Sequence, residues 1–135
     1  MRELKFRAWL NKEKEMVEVK SIHLSTKKIM YGRSGKYNYG NKAVNINEVM
    51  LMQFTGVKDK NNREICEGDV VKLPAYLTNY TQYAVCKWID NTNSVEDVIG
   101  FAFEDMSGKR VRNDEWEDYE IIGNIFENSE SLGDE

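Results

Sequence analysis

The 135-residue chain contains 41% hydrophobic and 11% aromatic residues, which is enough to fill the interior of one domain or of two small β units that share a core. It has no apolar run of about 18 residues, so the sequence excludes a membrane-spanning helix. Its net charge of −4 argues against sequence-independent binding of nucleic acid by the whole surface.

The N-terminal part of the chain predicts a β-hairpin. Apolar and polar residues alternate over 4–9, which indicates a half-buried strand, and a polar turn follows at 11–14. The next run, 16–24, is extended and rich in β-branched residues. Its apolar parity changes between Val19 and Ile22, so we expect a bulge or bend between them.

The run 44–54 predicts a central strand, because its apolar residues occur at both parities and both of its faces would be buried. A helix over 46–53 is the alternative, since Glu, Met and Leu are good helix formers. Thr55 and Gly56 are expected to end the element. A polar turn with two consecutive asparagines follows at 58–63.

After this turn the chain becomes extended again at Ile65 and bends at Gly68, where a side chain would block a sharp entry into the next strand. Pro74 then ends that strand. We expect the whole stretch 50–73 to join two β halves. Its apolar residues would contribute to a shared core, and they are Met50, Met52, Phe54, Ile65, Val70 and Leu73.

Three further strands are predicted in the C-terminal half, at 83–89, 95–103 and 119–126. Gly100 indicates a bulge or a close approach of another chain segment within the second of them. The whole chain then has seven to nine short strands and no convincing amphipathic helix longer than two turns. This pattern is typical of a mainly β protein.

The predicted architecture is a small, partly open barrel in the C-terminal half, joined to an N-terminal β-hairpin region. We assign 1–126 to a single domain, with a hairpin-rich part at 1–49 and a barrel-like part at 50–126. Residues 127–135 are acidic and contain Ser and Gly, so we expect a flexible tail.

Four segments of the chain are distinctive, namely LKFRAW at 4–9, MQFTGVKDK at 52–60, the run 64–71 that contains EGDVV, and IIGNIFEN at 121–128. In their order and spacing they resemble the YopX family of bacteriophage and prophage proteins. The family favours glycine where Asn62 stands. The resemblance implies a mainly β fold, a phage or prophage origin and a tendency to form oligomers. It implies no established activity and no catalytic residues.

The segment 32–42 is rich in Gly, Asn, Tyr and Lys, which predicts an exposed loop. Aromatic and basic residues alternate in it, as on surfaces that bind single-stranded nucleic acid, because rings stack on bases and cations meet phosphates. The candidate nucleic-acid-binding residues are Arg33, Lys36, Tyr37, Tyr39 and Lys42. A plain surface loop is the alternative, since loops often carry such residues without a ligand.

No catalytic, cofactor or metal site is predicted from the reactive residues. The single histidine, His23, stands in an extended run without a nucleophile motif, so we interpret it as an ordinary strand residue. Cys66 and Cys86 provide neither a disulfide framework nor a zinc ligand set, and both are expected to be core or edge residues. No glycine-rich phosphate-binding motif occurs.

Carboxylates cluster at 114–120 around Trp116 and Tyr119. Such oxygen ligands suit Mg²⁺ or Ca²⁺ and would fit a metal-dependent hydrolase, but their spacing matches no known ion-binding loop. A solvated edge whose like charges deter strand aggregation is the favoured interpretation. Glu67 and Asp69 flank Gly68 and are better explained by turn geometry than by catalysis.

Charge is unevenly distributed along the chain. Residues 1–42 have a net charge of +7, whereas residues 94–135 have a net charge of −10. The two ends either neutralise each other on one folded surface, or the basic part contacts a partner or the acidic part of a neighbouring copy. The charged N-terminus lacks the apolar core of a secretion signal, so we expect the cytoplasm of a bacterial host.

These observations favour a non-enzymatic, oligomeric phage or prophage accessory protein that acts through protein–protein contact. The expected partners are copies of the same chain, with a host or phage protein as a further partner and no membrane. A nucleic-acid-binding β-barrel that uses the basic N-terminal face and the loop tyrosines is the alternative. A metal-dependent hydrolase that uses the acids at 114–120 ranks third.

Overall fold

The computed structural model describes residues 4–32, 42–77, 81–91, 98–111 and 115–127. They contain ten β-strands in two antiparallel sheets and two single-turn 3-10 helices, Ile46–Glu48 and Trp116–Asp118. The strands are β1 (Phe6–Leu10), β2 (Glu15–His23), β3 (Lys28–Gly32), β4 (Lys42–Asn45), β5 (Val49–Lys58), β6 (Glu64–Cys66), β7 (Asp69–Lys72), β8 (Tyr83–Asn91), β9 (Val98–Asp105) and β10 (Glu120–Asn124). The mainly β fold is therefore confirmed.

The first sheet has the strand order β4–β3–β2–β1–β5–β6. β1 and β2 form the predicted hairpin through the turn at 11–14. Where β2 pairs with β3, the register shifts between Val19 and Ser21, which confirms the predicted bulge. Because the bulge adds one residue to the strand, Val19 and Ile22 both pack against the same buried cluster despite their odd spacing.

The predicted strand 44–54 is divided by the 3-10 helix into the end of β4 and the start of β5. β5 lies between β1 and β6, so its central position in the sheet is confirmed and the helical alternative is wrong. The predicted end at Thr55 and Gly56 is also wrong, because β5 continues to Lys58. Gly56 adopts a φ of 93°, which glycine tolerates because it has no Cβ, and the strand continues through it.

Met50 is not a core residue, contrary to the prediction, because 49% of its surface is exposed. It lies opposite Trp9 in register, near the start of β5, whereas Met52 and Phe54 further along the same face of the strand are buried. The other five predicted core residues are at most 6% exposed, and they are Met52, Phe54, Ile65, Val70 and Leu73.

The predicted bend at Gly68 is confirmed and separates a strand of the first sheet, β6, from a strand of the second, β7. Gly68 has a φ of 83°, which favours glycine. Its backbone N–H donates to the Cys86 carbonyl at 2.8 Å, and its carbonyl accepts from the Ile125 N–H at 2.9 Å. Both backbone groups of Gly68 are therefore hydrogen-bonded to neighbouring segments of the chain.

The second sheet has the strand order β10–β7–β8–β9. The predicted partly open barrel corresponds to this antiparallel sheet, which is not a closed barrel in the described part of the chain. The segment 109–111 runs along the outer edge of β9. There Asp105 donates its N–H to the Lys109 carbonyl at 2.8 Å, and Val111 donates to the Phe103 carbonyl at 2.7 Å. This segment covers the β9 edge next to the core.

The chain divides into two compact units, Met1–Phe54 and Thr55–Glu135, and the division falls inside β5. The buried cluster of the N-terminal unit contains Ala8, Leu10, Val17, Ile29, Tyr31 and Val49. The buried cluster of the C-terminal unit contains Ile65, Val71, Leu73, Ala84, Cys86, Phe103 and Tyr119. The assignment of 1–126 to one domain stays a prediction, and residues 128–135 of the predicted tail lie outside the described residues.

Candidate functional site

Of the five predicted nucleic-acid-binding residues, the structure describes only Lys42. Arg33, Lys36, Tyr37 and Tyr39 lie outside the described residues. Lys42 is exposed at the start of β4, opposite Tyr31 of β3. The proposal for this segment therefore depends on the sequence pattern and on the exposure of Lys42.

β8 and β9 form a hairpin that extends beyond the other strands of their sheet. Their pairing continues as far as Asn91 opposite Val98, but β7 pairs with β8 only at 83–85. In the described part of the chain, residues 87–91 and 98–102 therefore form a two-stranded ribbon, which we call the β-arm. A ribbon of two strands has two edges with backbone groups available for pairing.

One face of the β-arm carries Trp88 and Phe101, which lie directly opposite each other. Their ring centroids are 5.0 Å apart and their planes meet at 81°, which is a favourable edge-to-face arrangement. They share the parity of the buried Cys86 and Phe103, so they continue the core face of the sheet beyond the core. Because 51% of Trp88 is exposed, the pair forms an apolar surface.

The other face of this hairpin carries an ion pair as well as apolar residues such as Val85 and the buried Ala102. Lys87 Nζ lies 2.8 Å from Glu104 Oε1 across the two strands, and such an exposed pair contributes at most about 1 kcal/mol. Gly100 has a φ of 135°, and no heavy atom lies within 4 Å of the position of a Cβ there. The glycine is thus required by the backbone conformation and not by crowding.

A second apolar surface lies on the first sheet, and we call it the methionine face. Met16 of β2 and Met50 of β5 lie on either side of Trp9 in register. These three side chains occupy the face opposite to the buried cluster that contains Ala8 and Leu10. Trp9 and Met16 are partly exposed and Met50 is 49% exposed. Flexible, polarizable methionines adapt well to the shape of a partner.

The two apolar surfaces belong to units of opposite net charge. Residues 1–54 contain eleven Lys and Arg against five Asp and Glu, a net charge of +6. Residues 55–135 contain eight against eighteen, a net charge of −10. Charges of this size act over about one Debye length, roughly 10 Å at 0.1 M salt.

The predicted acidic cluster is divided between two places. The Tyr76 hydroxyl lies 2.7 Å from Asp118 Oδ2 and 3.0 Å from Glu115 Oε2. The hydrogen bond to Asp118, assisted by burial and by Glu115, raises the pKa of the Tyr76 phenol above its usual value. Glu117 is exposed on the neighbouring 3-10 helix, and Asp114 lies outside the described residues.

Glu120 faces the turn that follows β5 instead. Its Oε2 lies 3.3 Å from Lys60 Nζ and 3.5 Å from Asn61 Nδ2. The hydrogen bond from Lys60 is the main cause that lowers the pKa of Glu120. Within the described ranges, no three His, Cys, Asp or Glu side chains form a group that could hold a metal ion.

Two carboxylates of the central stretch, Asp59 and Asp69, cap turns, and for Asp69 this agrees with the turn role that the sequence predicts. Asp59 Oδ1 accepts the backbone N–H groups of Asn61 at 3.0 Å and Arg63 at 2.8 Å. Asp69 Oδ2 accepts the N–H of Cys66 at 2.8 Å. Asp59 is 4% exposed and Asp69 is 2% exposed, so both carboxylates replace water with backbone donors.

The remaining polar features are modest. His23 Nε2 lies 3.2 Å from Ser21 Oγ on the exposed end of β2, in agreement with its interpretation as a strand residue. A cavity of about 290 Å³ lies in the N-terminal unit and is lined by Asn11, Lys12, Glu13, Val44 and Glu48. None of the helices among the described residues is long and apolar enough to cross a membrane.

The sequence pattern identifies the face of Trp88 but not its exposure. The alternation around residue 88 places its side chain with Ala84 and Cys86. The exposure of Trp88 depends on how many residues of β8 pair with β7, and the difference in length between the two strands indicates this. β8 has nine residues, whereas β7 has four, so part of β8 must extend beyond its neighbour.

Residues 5–133 match the family model described as "YopX protein". A solved structure, that of protein EF1440 from Enterococcus faecalis, is similar with a TM-score of 0.62 and 26% identity, over 98% of this chain and 99% of that chain. A search of curated proteins found no match. The family model covers nearly the whole chain, and the chain therefore belongs to the YopX family.

Proposed function

We propose that this protein is a non-enzymatic phage or prophage accessory protein that acts in the bacterial cytoplasm by associating with copies of itself. The observation that carries the proposal is the pair of apolar surfaces, the β-arm and the methionine face, on units of opposite charge. Trp88 is 51% exposed and Met50 is 49% exposed. Exposed apolar patches with polar surroundings often mark protein–protein interaction sites.

Membership of the YopX family supports the phage or prophage part of the proposal, because the sequence resemblance implies that origin. Transcription of the gene is the corresponding measurement. We expect it to rise when a resident prophage is induced and to stay low in uninduced cells. Equal transcription in both states would contradict an accessory role in the phage life cycle.

Self-association is tested by the mass in solution. Sedimentation velocity at about 0.05 M and about 0.5 M salt should give a mass above the 15.8 kDa of one chain at low salt, and a smaller mass at high salt because opposite charges are screened. A monomer at both salt concentrations, with no host or phage protein retained by the tagged chain, would refute the proposal.

Nucleic-acid binding is a second candidate function, favoured by the net charge of +6 on residues 1–54 and by the exposed Lys42. Replacing Tyr37 and Tyr39 together by Ala should weaken oligonucleotide binding about tenfold or more, since stacking contributes about 1–3 kcal/mol per base. Tyr76→Ala is the matched control, as it removes an exposed tyrosine from the acidic unit. Binding that is insensitive to salt, or to the double substitution, would exclude this function.

A further inference from the structure

We infer that the β-arm of one copy docks on the methionine face of a second copy, an inference that rests on the proposed self-association. The β-arm presents Trp88 and Phe101, an aromatic pair held in an edge-to-face arrangement by the strand register. Because the two rings already restrain each other, the pair loses little conformational freedom when it binds, and tryptophan is enriched among the residues that dominate interfaces.

The methionine face has the chemistry to receive this pair. Met16 and Met50 lie on the two sides of Trp9, so aromatic and thioether groups alternate across three adjacent strands. Sulfur–aromatic contacts are favourable, and unbranched methionine side chains adjust to irregular shapes. Trp88 is 51% exposed and Phe101 is less exposed, so the pair offers only part of the roughly 150–250 Å² that each whole aromatic side chain can bury. It would form the centre of an interface of about 800 Å² per partner, to which surrounding residues contribute the rest.

The net charges of the two units favour one of the three possible pairings of these surfaces. If the β-arm met another β-arm, two units with a net charge of −10 would approach each other. If the methionine face met another methionine face, two units with a net charge of +6 would approach. Only the docking of the β-arm on the methionine face brings opposite charges together, which favours encounter and opposes the two alternatives.

This contact is heterologous, because it joins two different surfaces. Each copy then offers one β-arm and one methionine face, so copies add head to tail, and the assembly either closes into a ring or extends as a filament. A symmetric dimer would instead use one surface twice. The two arrangements differ in how single-surface variants behave when they are mixed, and the experiment uses this difference.

The experiment uses Trp88→Lys to block the β-arm and Met50→Lys to block the methionine face of the full chain. Each variant alone should associate at least about 30-fold more weakly than the wild type, as expected for a central interface residue. A mixture of the two should form a one-to-one pair, because the intact β-arm of the Met50 variant can dock on the intact face of the Trp88 variant. Both substitutions introduce lysine, so the two substituted surfaces carry the same added charge and cannot attract each other through it.

Leu24→Lys and Met106→Lys are matched controls, since they place the same charge at exposed apolar residues of the N-terminal and C-terminal units. Both should keep the wild-type mass. Thermal unfolding of every variant is measured first, and a variant that does not fold is replaced by Trp88→Ala or Met50→Ala. Three outcomes would overturn the docking but leave self-association intact, provided that the wild type assembles. They are a wild-type mass for the Trp88 and Met50 variants, loss of assembly in the two control variants, and a mixture of the Trp88 and Met50 variants that stays monomeric. A monomeric wild type would overturn both.

Discussion

The carboxylate of Asp59 accepts the backbone N–H of Ile121 at 2.9 Å, although the two residues are 62 positions apart in sequence. The guanidinium of Arg63 donates to the carbonyl of the same residue. Both backbone groups of Ile121 are thus bound by side chains of one turn, in the way that a neighbouring strand would bind them. The turn after β5 therefore protects the outer edge of β10 at this residue.

Asp59→Asn should lower the free energy of unfolding by about 1–3 kcal/mol, because a buried donor loses its acceptor. The amide retains one acceptor oxygen, but its NH₂ group faces backbone donors, and Arg63 loses a counter-charge at 3.3 Å. Urea unfolding followed by circular dichroism measures this change.

Asp105→Asn is the control for Asp59→Asn. Asp105 also caps a turn, accepting the backbone N–H groups of Ser107 at 2.9 Å and Lys109 at 3.0 Å, but these hydrogen bonds are exposed to solvent. Water can replace them, so the loss of stability should stay below about 1 kcal/mol. Equal losses at the two sites would mean that burial does not set the cost.

Asp59 should also make stability depend on pH. Burial alone would raise the pKa of Asp59, but hydrogen bonds from the Ile121, Arg63 and Asn61 N–H groups and the charge of Arg63 hold it below the usual 3.8. The unfolded chain therefore binds the proton first. The contribution of Asp59 is complete above about pH 5 and is lost as pH falls through the lower folded value.

The measurement is urea unfolding from about pH 6 to about pH 2.5, a range that includes the unfolded pKa of aspartate near 3.9. The wild type should lose more stability than Asp59→Asn as the pH falls. Asp105 and Glu120 also have lowered pKa values, but they are present in both proteins, so the difference isolates Asp59. Parallel curves for the two proteins would contradict the prediction.

Gly68→Ala should destabilise the protein by about 1–2 kcal/mol, because a φ of 83° is unfavourable for any residue with a Cβ. The turn cannot relax, since its N–H and carbonyl are bound to Cys86 and Ile125. Asn62→Gly is the opposite control: Asn62 has a φ of 65°, so glycine should be neutral or slightly stabilising. Thermal unfolding of both variants checks the pair.

Two phenylalanines on the same face of β9 should differ in their contributions to stability. Phe103 is 1% exposed and makes edge contacts with Trp116 and Tyr119 at 5.0 and 5.1 Å, so Phe103→Ala should cost about 3–5 kcal/mol. Phe101→Ala in the β-arm should cost only about 1 kcal/mol, mainly the contact with Trp88. Chemical denaturation of each variant measures its loss of unfolding free energy. Equal losses for the two variants would contradict the predicted order.

Local structure was more predictable from the sequence than the pairing of strands and the exposure of their faces. Alternation located the strands, and the parity change in β2 located a bulge, because both depend on neighbouring residues alone. The exposure of Met50 was not predictable, since Met52 and Phe54 on the same face of β5 are buried and exposure depends on how much of that face the fold covers. The continuation of β5 through Gly56 was also missed, because a glycine permits either an end or a bend.

The candidate site was less predictable than the fold. The β-arm arises from the difference in length between β7 and β8, and the methionine face arises from the pairing of β1 with both β2 and β5. Both are relationships between strands distant in sequence. By contrast, the acids at 114–120 looked like one cluster in sequence, but Glu120 and Asp118 face different partners.

The bulge in β2 constrains how this gene can change. Val19 and Ile22 both pack against the N-terminal cluster only because one extra residue stands between them. Deleting Lys20 would restore plain alternation and keep both side chains on the core face. Deleting one residue at any other position of β2 would instead turn every side chain on one half of the strand to the wrong face, so the strand tolerates a change of length only at its bulge.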